Sequence, residues 1–149
     1  MGRLEDDIKR FSRIAIDTNA FIYLMERHPK YFTIVRELFN AVEIGKVYAV
    51  SSVLLITEIL TKPLKDSNKG LADRYLAFIS TFPNLGLREI DQNIALQAAK
   101  LRARYGFKTP DALFLATAME EKAEAFITND VRLQGIENIE IVLLNNFVE

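Results

Sequence analysis

The fold is decided by the stretch Arg13-Ile14-Ala15-Ile16-Asp17-Thr18-Asn19-Ala20-Phe21-Ile22-Tyr23. Residues 14–16 form an apolar run that is too short for a helix and rich in β-branched residues, which is typical of a buried strand. Thr18 or Asn19 is expected to cap the helix that follows, because a short side-chain oxygen accepts a free backbone N–H. Asp17 is therefore predicted at the carboxyl end of a strand, where open α/β sheets bind ligands.

The composition is that of a globular protein. Half of the 149 residues are hydrophobic and 26% are charged, which suits one domain with its own core. We therefore expect a single domain over residues 1–149, with residues 1–12 as a short leader before the first strand. Leu4, Ile8 and Phe11 recur at helical spacing in this leader, which predicts a short amphipathic helix packed on the body.

Composition also bears on location and on partners. The chain has no cysteine, hence no disulfide and no thiolate ligand or nucleophile, which fits a cytoplasmic protein. No apolar run approaches the length of a membrane span, and residues 1–12 are charged, unlike a signal peptide. Because the net charge is −1, any nucleic-acid contact is expected from a local basic patch.

Apolar strands and amphipathic helices alternate along the chain. Strands are predicted at residues 14–16, 47–50, 85–90, 125–128 and 139–144, and helices at residues 20–26, 31–44, 53–62, 71–82, 92–105 and 109–122. Pro63 is expected to end the third of these helices, and Thr109 to cap the last one ahead of Pro110. The alternation predicts a three-layer α/β/α sandwich around a mainly parallel sheet of about five strands.

Four acidic residues stand where a site could form, and each also has an ordinary structural explanation. Asp17 could cap a helix and Asp130 could be a turn residue. For both residues, this structural explanation and a role in a site are equally well supported by the sequence. Glu58 could pair with Lys62 on the polar stripe of its helix, and Asp111 could interact with its helix dipole. Taken alone, the structural explanation is favoured for Glu58 and for Asp111.

Taken together, the acids indicate a metal site. Asp17 and Asp130 follow strands one and four, and Asp111 begins the helix that leads into strand four, so all three meet at one edge if these strands are neighbours. Carboxylates about 4 Å apart repel by about 1 kcal/mol in water and by about 4 kcal/mol at an effective dielectric of 20. A hard divalent cation would offset this repulsion, and an all-oxygen ligand set suits Mg²⁺ or Mn²⁺ and phosphoryl chemistry.

Four motifs occur in order around these acids. They are Ile14-Ala15-Ile16-Asp17-Thr18-Asn19, then Thr57-Glu58-Ile59-Leu60, then Thr109-Pro110-Asp111-Ala112-Leu113 with Ala116-Thr117-Ala118, and finally Ile127-Thr128-Asn129-Asp130. Together they resemble the PIN domain, and most closely the VapC toxin ribonucleases of toxin–antitoxin pairs. The resemblance covers roughly residues 13–144, and its strength lies in the order of the four motifs, since none of them is specific alone.

The resemblance implies a Mg²⁺- or Mn²⁺-dependent endoribonuclease that leaves a 3′-hydroxyl and a 5′-phosphate. The positions that match the family's acidic quartet, which holds the metal and activates water, are Asp17, Glu58, Asp111 and Asp130. Supporting roles fall to Thr18, Asn19 and Thr128. The resemblance also implies an antitoxin partner and a homodimer, and an apolar surface around residues 20–44 could serve either.

Two alternatives and one weaker prediction remain open. PIN domains also occur as non-catalytic scaffolds that bind RNA or protein, and as RNA-maturation nucleases without an antitoxin. Arg104 and Lys108 lie just ahead of Asp111 and could form a rim that contacts phosphate, although basic residues at helix ends are more often simply solvated. Competing designs are disfavoured, because the chain has no GxxxxGK[ST] loop and its single histidine, His28, lies in a turn.

Overall fold

The sheet of the protein is entirely parallel. The computed structural model describes residues 3–148, and its five strands lie in the order β3-β2-β1-β4-β5. The strands are β1 Arg13–Ile16, β2 Tyr48–Ser52, β3 Leu85–Arg88, β4 Ala125–Thr128 and β5 Glu140–Leu143. The predicted α/β fold is confirmed. The parts of the domain prediction that fall on residues 1–2 and 149 lie outside the described residues.

Helices connect and cover these strands. Within residues 3–148 they are α1 Leu4–Ile8, α2 Thr18–Met25, α3 Phe32–Glu43, α4 Leu54–Lys65, α5 Lys69–Thr81, α6 Gln92–Tyr105 and α7 Thr109–Glu120, with 3₁₀ helices at Val131–Leu133 and Leu144–Phe147. No helix in this part of the chain is long and apolar enough to cross a membrane.

The central strands are buried on both faces. Ile14, Ala15 and Ile16 of β1 are each at most 2% exposed, and Phe126 and Ile127 of β4 are at most 1% exposed. Because successive residues of a strand point to opposite faces, helices must cover both sides of the sheet. The short apolar run at the start of the chain therefore becomes a strand at the centre of a three-layer sandwich.

The order of the strands creates a crevice beside β1. The chain moves outward from β1 through β2 to β3, and then returns to the other side of β1 for β4 and β5. Open α/β sheets bind ligands at such a reversal, beyond the carboxyl ends of the strands. Ile16 pairs with Ile127 at that end, and Asp17 N donates to Ile127 O at 2.9 Å. The condition for the acids to meet, that strands one and four are neighbours, is fulfilled.

Three predicted helix ends are wrong. Pro63 lies inside α4, which runs on to Lys65, because the proline ring is buried in the last turn, where it removes only one backbone hydrogen bond. Thr109 does not cap α7 but is its first residue. Neither Thr18 nor Asn19 caps α2, because the Asp17 side chain before them accepts from Thr18 N.

The leader packs on the body as the helical spacing predicts. Leu4, Ile8 and Phe11 are 1%, 0% and 7% exposed, and α1 packs against α3. Burying three large apolar side chains from a short segment contributes several kcal/mol of hydrophobic stabilisation. The described part of the leader is therefore part of the core.

Replacing the buried Ile8 tests this contribution of the leader. Ile8→Ala is expected to lower the free energy of unfolding by about 2–5 kcal/mol, since it leaves a cavity under α1. Asp6→Ala, on the exposed face of the same helix, is the matched control and should change stability by about 0.5 kcal/mol or less. Urea denaturation measures both, and equal stability of Ile8→Ala and the wild type would show that the leader does not belong to the core.

Candidate functional site

Asp17 lies at the carboxyl end of β1 and is held by two hydrogen bonds. Its Oδ1 accepts from Thr18 N at 2.8 Å, and its Oδ2 accepts from Thr128 Oγ1 at 2.7 Å. Asp17 is thus the residue that caps α2, which was the ordinary explanation of its position, and it also faces the other acids. The two interpretations of Asp17 do not exclude each other.

The environment of Asp17 disfavours its charge. The pKa of Asp17 is raised to about 6, chiefly by burial, and further by the negative charges of Asp111 and Glu58, while the hydrogen bonds from Thr128 and Thr18 act in the opposite direction. No ion pair reaches Asp17 from any of residues 3–148. At neutral pH the protein therefore holds an ionised, largely buried carboxylate without a cation of its own, which is characteristic of functional sites.

Glu58 is joined to the Asp17 segment through Thr18. Its Oε1 accepts from Thr18 Oγ1 at 2.6 Å, and the Thr18 side chain is buried. The alternative pairing of Glu58 with Lys62 is wrong, since Lys62 Nζ lies 3.6 Å from Glu26 instead. Because Thr18 follows Asp17 directly, this hydrogen bond fixes Glu58 beside the first acid.

Thr128 links Asp17 to Asp130 through two hydrogen bonds. Its hydroxyl donates to Asp17 Oδ2 and accepts from Asp130 N at 3.1 Å. The side chain is fully buried at the end of β4, so this hydrogen-bonded link is shielded from water. These hydrogen bonds agree with the supporting role that the family resemblance implies for Thr128, which stays a prediction.

Asp111 and Asp130 share an arginine that the sequence analysis missed. Arg132 Nη2 lies 2.5 Å from Asp130 Oδ2 and 3.5 Å from Asp111 Oδ2, and its Nε also donates to Asp130. The hydrogen bond from Arg132 lowers the pKa of Asp130. Burial and the charge of Asp130 raise the pKa of Asp111, whereas Arg132 and Lys108 lower it. The signal in the sequence was a basic residue two positions after Asp130, within reach across one turn.

Asn19 carries an unusual buried atom. Among residues 3–148, its side-chain oxygen Oδ1 is buried and has no hydrogen-bond partner. Such an atom costs about 1–3 kcal/mol when it leaves water, and in native proteins it calls for an explanation such as function or strain. Its position two residues after Asp17 agrees with a supporting role for Asn19, which stays a prediction.

The donor set fits a hard divalent cation in its chemistry. All four acids offer oxygen ligands, which Mg²⁺ and Mn²⁺ prefer, and Asp17 lacks a counter-charge. Their present arrangement is not a closed ligand shell, because no group of three acidic or histidine side chains in residues 3–148 is placed to hold one ion. Arg132 lies against two of the acids, so binding of a cation by Asp111 and Asp130 requires that this side chain move away.

The two basic residues predicted as a phosphate rim lie in different surroundings. Arg104 pairs with Glu137 at 2.7 Å and lies over the ring of Tyr105. Lys108 borders a pocket together with Asp111 and Arg132. Lys108 is therefore placed at the acids, whereas Arg104 is engaged away from them, and contact of either residue with RNA stays a prediction.

Removing the charge of Asp17 is expected to stabilise the metal-free protein. A folded-state pKa of about 6 against an ordinary value of 3.8 corresponds to a cost of up to about 3 kcal/mol at pH 8. Asp17→Asn keeps the side-chain shape but loses the acceptor for the Thr128 hydroxyl, so Tm should rise by less than the full charge effect, which is about 2–4 °C per kcal/mol. Thermal unfolding in a chelator measures this effect.

The pH at which the stability difference appears identifies the Asp17 charge as its cause. The proton on Asp17 is bound more tightly in the folded state, so the difference between Asp17→Asn and the wild type should be full above pH 6 and vanish as the pH falls below 4. Asp73→Asn removes an exposed charge on α5 and should leave Tm unchanged. A difference in Tm between Asp17→Asn and the wild type that stays the same from pH 4 to pH 8 would mean that burial does not disfavour the Asp17 carboxylate.

Solved structures share this fold. A toxin–antitoxin complex from Klebsiella pneumoniae aligns with a TM-score of 0.64 at 23% identity, covering 88% of this chain and 97% of that chain. VapBC2 from Rickettsia felis bound to a promoter DNA fragment aligns at 0.67 and 17% identity over 88% and 98%. DNA-bound VapBC from Salmonella typhimurium aligns at 0.67 and 20% identity over 89% and 98%. At these identities the likeness establishes the fold alone.

Sequence comparison identifies the family. No curated protein sequence matches the chain significantly. The sequence model of the PIN domain matches residues 14–139, which include the four motifs and all four acids of the site. The chain therefore belongs to the PIN domain family.

Proposed function

We propose that the protein is a metal-dependent endoribonuclease, and that it acts as the toxin of a toxin–antitoxin pair. The observation that carries the proposal is the state of Asp17, a buried carboxylate with a raised pKa that lies among other acids without a cation of its own. Keeping such a group ionised lowers stability, and proteins commonly tolerate this cost at sites that function requires. The same proposal places the protein in the cytoplasm, where its RNA substrate is found.

The residues proposed to hold Mg²⁺ or Mn²⁺ are Asp17, Glu58, Asp111 and Asp130. A bound ion of this kind polarises a phosphate, lowers the pKa of water and stabilises charge on the leaving oxygen. Thr18 and Thr128 keep Glu58 and Asp17 in place through hydrogen bonds of 2.6 and 2.7 Å, so two of the four ligands are oriented before substrate arrives.

Arg132 has a proposed role on the substrate side. Its guanidinium contacts Asp130 closely and Asp111 at 3.5 Å, and so offsets part of their negative charge. When it leaves these carboxylates, it lies at the border of the site with all its donors free, and a guanidinium binds phosphate oxygens well. We therefore assign Arg132 to the RNA phosphate beside the scissile bond.

An antitoxin partner is supported by a groove next to the acids. The structures with the same fold include toxin–antitoxin and VapBC complexes. A pocket of about 290 Å³ between α2, α4 and α5 is lined mainly by apolar side chains, among them Ile22, Met25, Ile59, Pro63 and Leu71, and Glu58 lies at its wall. An antitoxin segment bound there would reach the site. Homodimerisation stays a prediction from the family resemblance.

One observation favours the alternative of a non-catalytic scaffold. Arg132 already supplies a positive charge beside Asp130 and Asp111 and lowers the pKa of Asp130, so Asp130 keeps its charge without a metal. In a scaffold the arginine would stay in place, whereas in a nuclease it would compete with the ion. The affinity for metal therefore separates the two functions.

The nuclease proposal is tested by cleavage of single-stranded RNA with Mn²⁺ and with a chelator. The wild type is expected to cleave only with Mn²⁺. Asp17→Asn should reduce the rate at least about 100-fold, as loss of a preorganised charged group at a reacting centre does. Asp73→Asn is the matched control and should keep full activity. Equal cleavage by Asp17→Asn and the wild type would refute the assignment of the site.

Metal affinity tests the competition with Arg132. Arg132→Gln removes the positive charge beside Asp111 and Asp130, so calorimetry should give a Kd for Mn²⁺ several-fold lower than that of the wild type. Arg104→Gln, which removes a similar charge that pairs with Glu137, should leave the Kd unchanged. Absence of Mn²⁺ binding at millimolar concentration in both the wild type and Arg132→Gln would instead support the scaffold.

A further inference from the structure

A second pocket opens beside Asp111 and Arg132, where α6 leads into α7. Its volume is about 220 Å³, and it is lined by Tyr105, Phe107, Lys108, Asp111, Arg132 and Leu133. Pockets that enclose drug-sized ligands measure about 300–1,000 Å³, so this pocket suits a single ring system. Asp111 and Arg132 in this lining belong to the candidate metal site, and Tyr105 and Phe107 give it an aromatic wall.

The aromatic wall is built from two stacked rings. The Tyr105 and Phe107 rings lie 5.3 Å apart between centroids, with an angle of 19° between their planes. Both side chains are half-buried. The Tyr105 hydroxyl accepts from Glu137 N at 3.3 Å, and Phe107 O accepts from Arg102 Nε at 3.0 Å. The pair is therefore fixed before any ligand binds.

Gly106 makes this stacking possible. It ends α6 with a φ of 75°, in the left-handed region. No atom lies within 4 Å of the position that a Cβ would take, so a glycine is favoured here for its backbone conformation rather than for space. The sharp turn brings the side chains on either side of Gly106 together, one from the last residue of α6 and one from the loop.

The charges of the pocket lie between the rings and the acids. Arg132 contacts Asp130 and Asp111. Lys108 lines the same pocket as Asp111 and Arg132. A phosphate that approaches Asp111 thus meets two cations, and an aromatic surface lies beyond them. Aromatic rings beside a basic groove are the means by which proteins bind single-stranded nucleic acid.

We propose that this pocket is a nucleobase subsite, in which the base of a nucleotide next to the scissile phosphate packs against Phe107 while Lys108 contacts that nucleotide's phosphate. Tyr105 supports the Phe107 ring by stacking on it, and Arg104 lies over the Tyr105 ring. The inference rests on the proposed ribonuclease function and adds to it a contact with one base of the RNA. That base must be unpaired, since a base within a duplex is already stacked on both sides.

The test measures coupling between the Phe107 ring and one base. A short single-stranded RNA is prepared in an unmodified form and as a series with an abasic nucleotide at each position in turn. Binding is measured in the Asp17→Asn background with Mn²⁺, so that hydrolysis does not interfere. Phe107→Leu keeps an apolar side chain against the core and removes the ring. Tyr48→Leu is the matched control, because Tyr48 lies at the amino end of β2, away from the carboxyl ends of the strands where the acids lie.

The expected result has two parts. With Phe107 present, one abasic position should weaken binding about tenfold, which is the effect of losing one stacked base. With Phe107→Leu, unmodified RNA should bind about tenfold more weakly, and the same abasic position should cost nothing further. Tyr48→Leu should behave as the parent protein does. Equal sensitivity to the abasic position with and without the Phe107 ring would overturn the subsite.

The role of Lys108 has its own measurement. A contact with one phosphate of a single strand contributes about 0.7 to the slope of log K against log salt concentration. Lys108→Gln should reduce the slope by about this amount for every RNA in the series, including the abasic ones. An unchanged slope would remove Lys108 from the subsite.

The outcomes also separate the subsite from the nuclease. RNA cleavage by the wild type without coupling between Phe107 and any base would reject the subsite and leave the nuclease proposal standing. Coupling without any cleavage by the wild type would support the subsite as an RNA-binding site and reject the nuclease. Thermal unfolding of Phe107→Leu shows whether its weaker binding reflects loss of the fold. Partial unfolding would weaken the binding of abasic and unmodified RNA equally, so it would not change the ratio of their affinities.

Discussion

The pairing of β1 with β4 is the constraint on which the site depends. It places residues that are more than a hundred positions apart in the chain side by side, so that Thr128 at the end of β4 donates to Asp17 at the end of β1. The same hydroxyl accepts from Asp130 N. Because the two strands are central and buried on both faces, core packing holds their carboxyl ends in place. The acids that follow these strands are therefore held in place as well.

The negative charges beyond the carboxyl ends of these strands lower the stability of the folded protein. Burial and neighbouring acids raise the pKa of Asp17 to about 6, and the protein relieves the rest of the repulsion in two ways. Thr18 and Thr128 donate to Glu58 and Asp17, and Arg132 places one positive charge against Asp130 and Asp111. The hydrogen bonds orient carboxylates without removing their charge. The arginine is different, because it occupies oxygens that a cation would need, and so it links metal binding to a movement of one side chain.

The sequence predicted the fold and the placement of the acids more successfully than their partners. Strand β4 has its predicted ends, and Asp111 lies in the first turn of α7, because short apolar runs and helix starts carry local signals. Arg132 was missed because its direction is set by the 3₁₀ turn after Asp130. The Phe107 pocket was missed for a similar reason, since it depends on the left-handed conformation of Gly106. Turn geometry and tertiary contacts determine where these side chains lie, and the hydrophobic periodicity of the sequence carries no information about either.

The most direct test of the site is a crystal structure of the wild type grown with Mn²⁺ and measured at the manganese absorption edge. The proposed site predicts an anomalous peak among the carboxylates of Asp17, Glu58, Asp111 and Asp130, with Arg132 moved away from the two acids that it contacts here. A structure at saturating Mn²⁺ with no peak at this edge of the sheet, and with Arg132 still bridging Asp111 and Asp130, would contradict it.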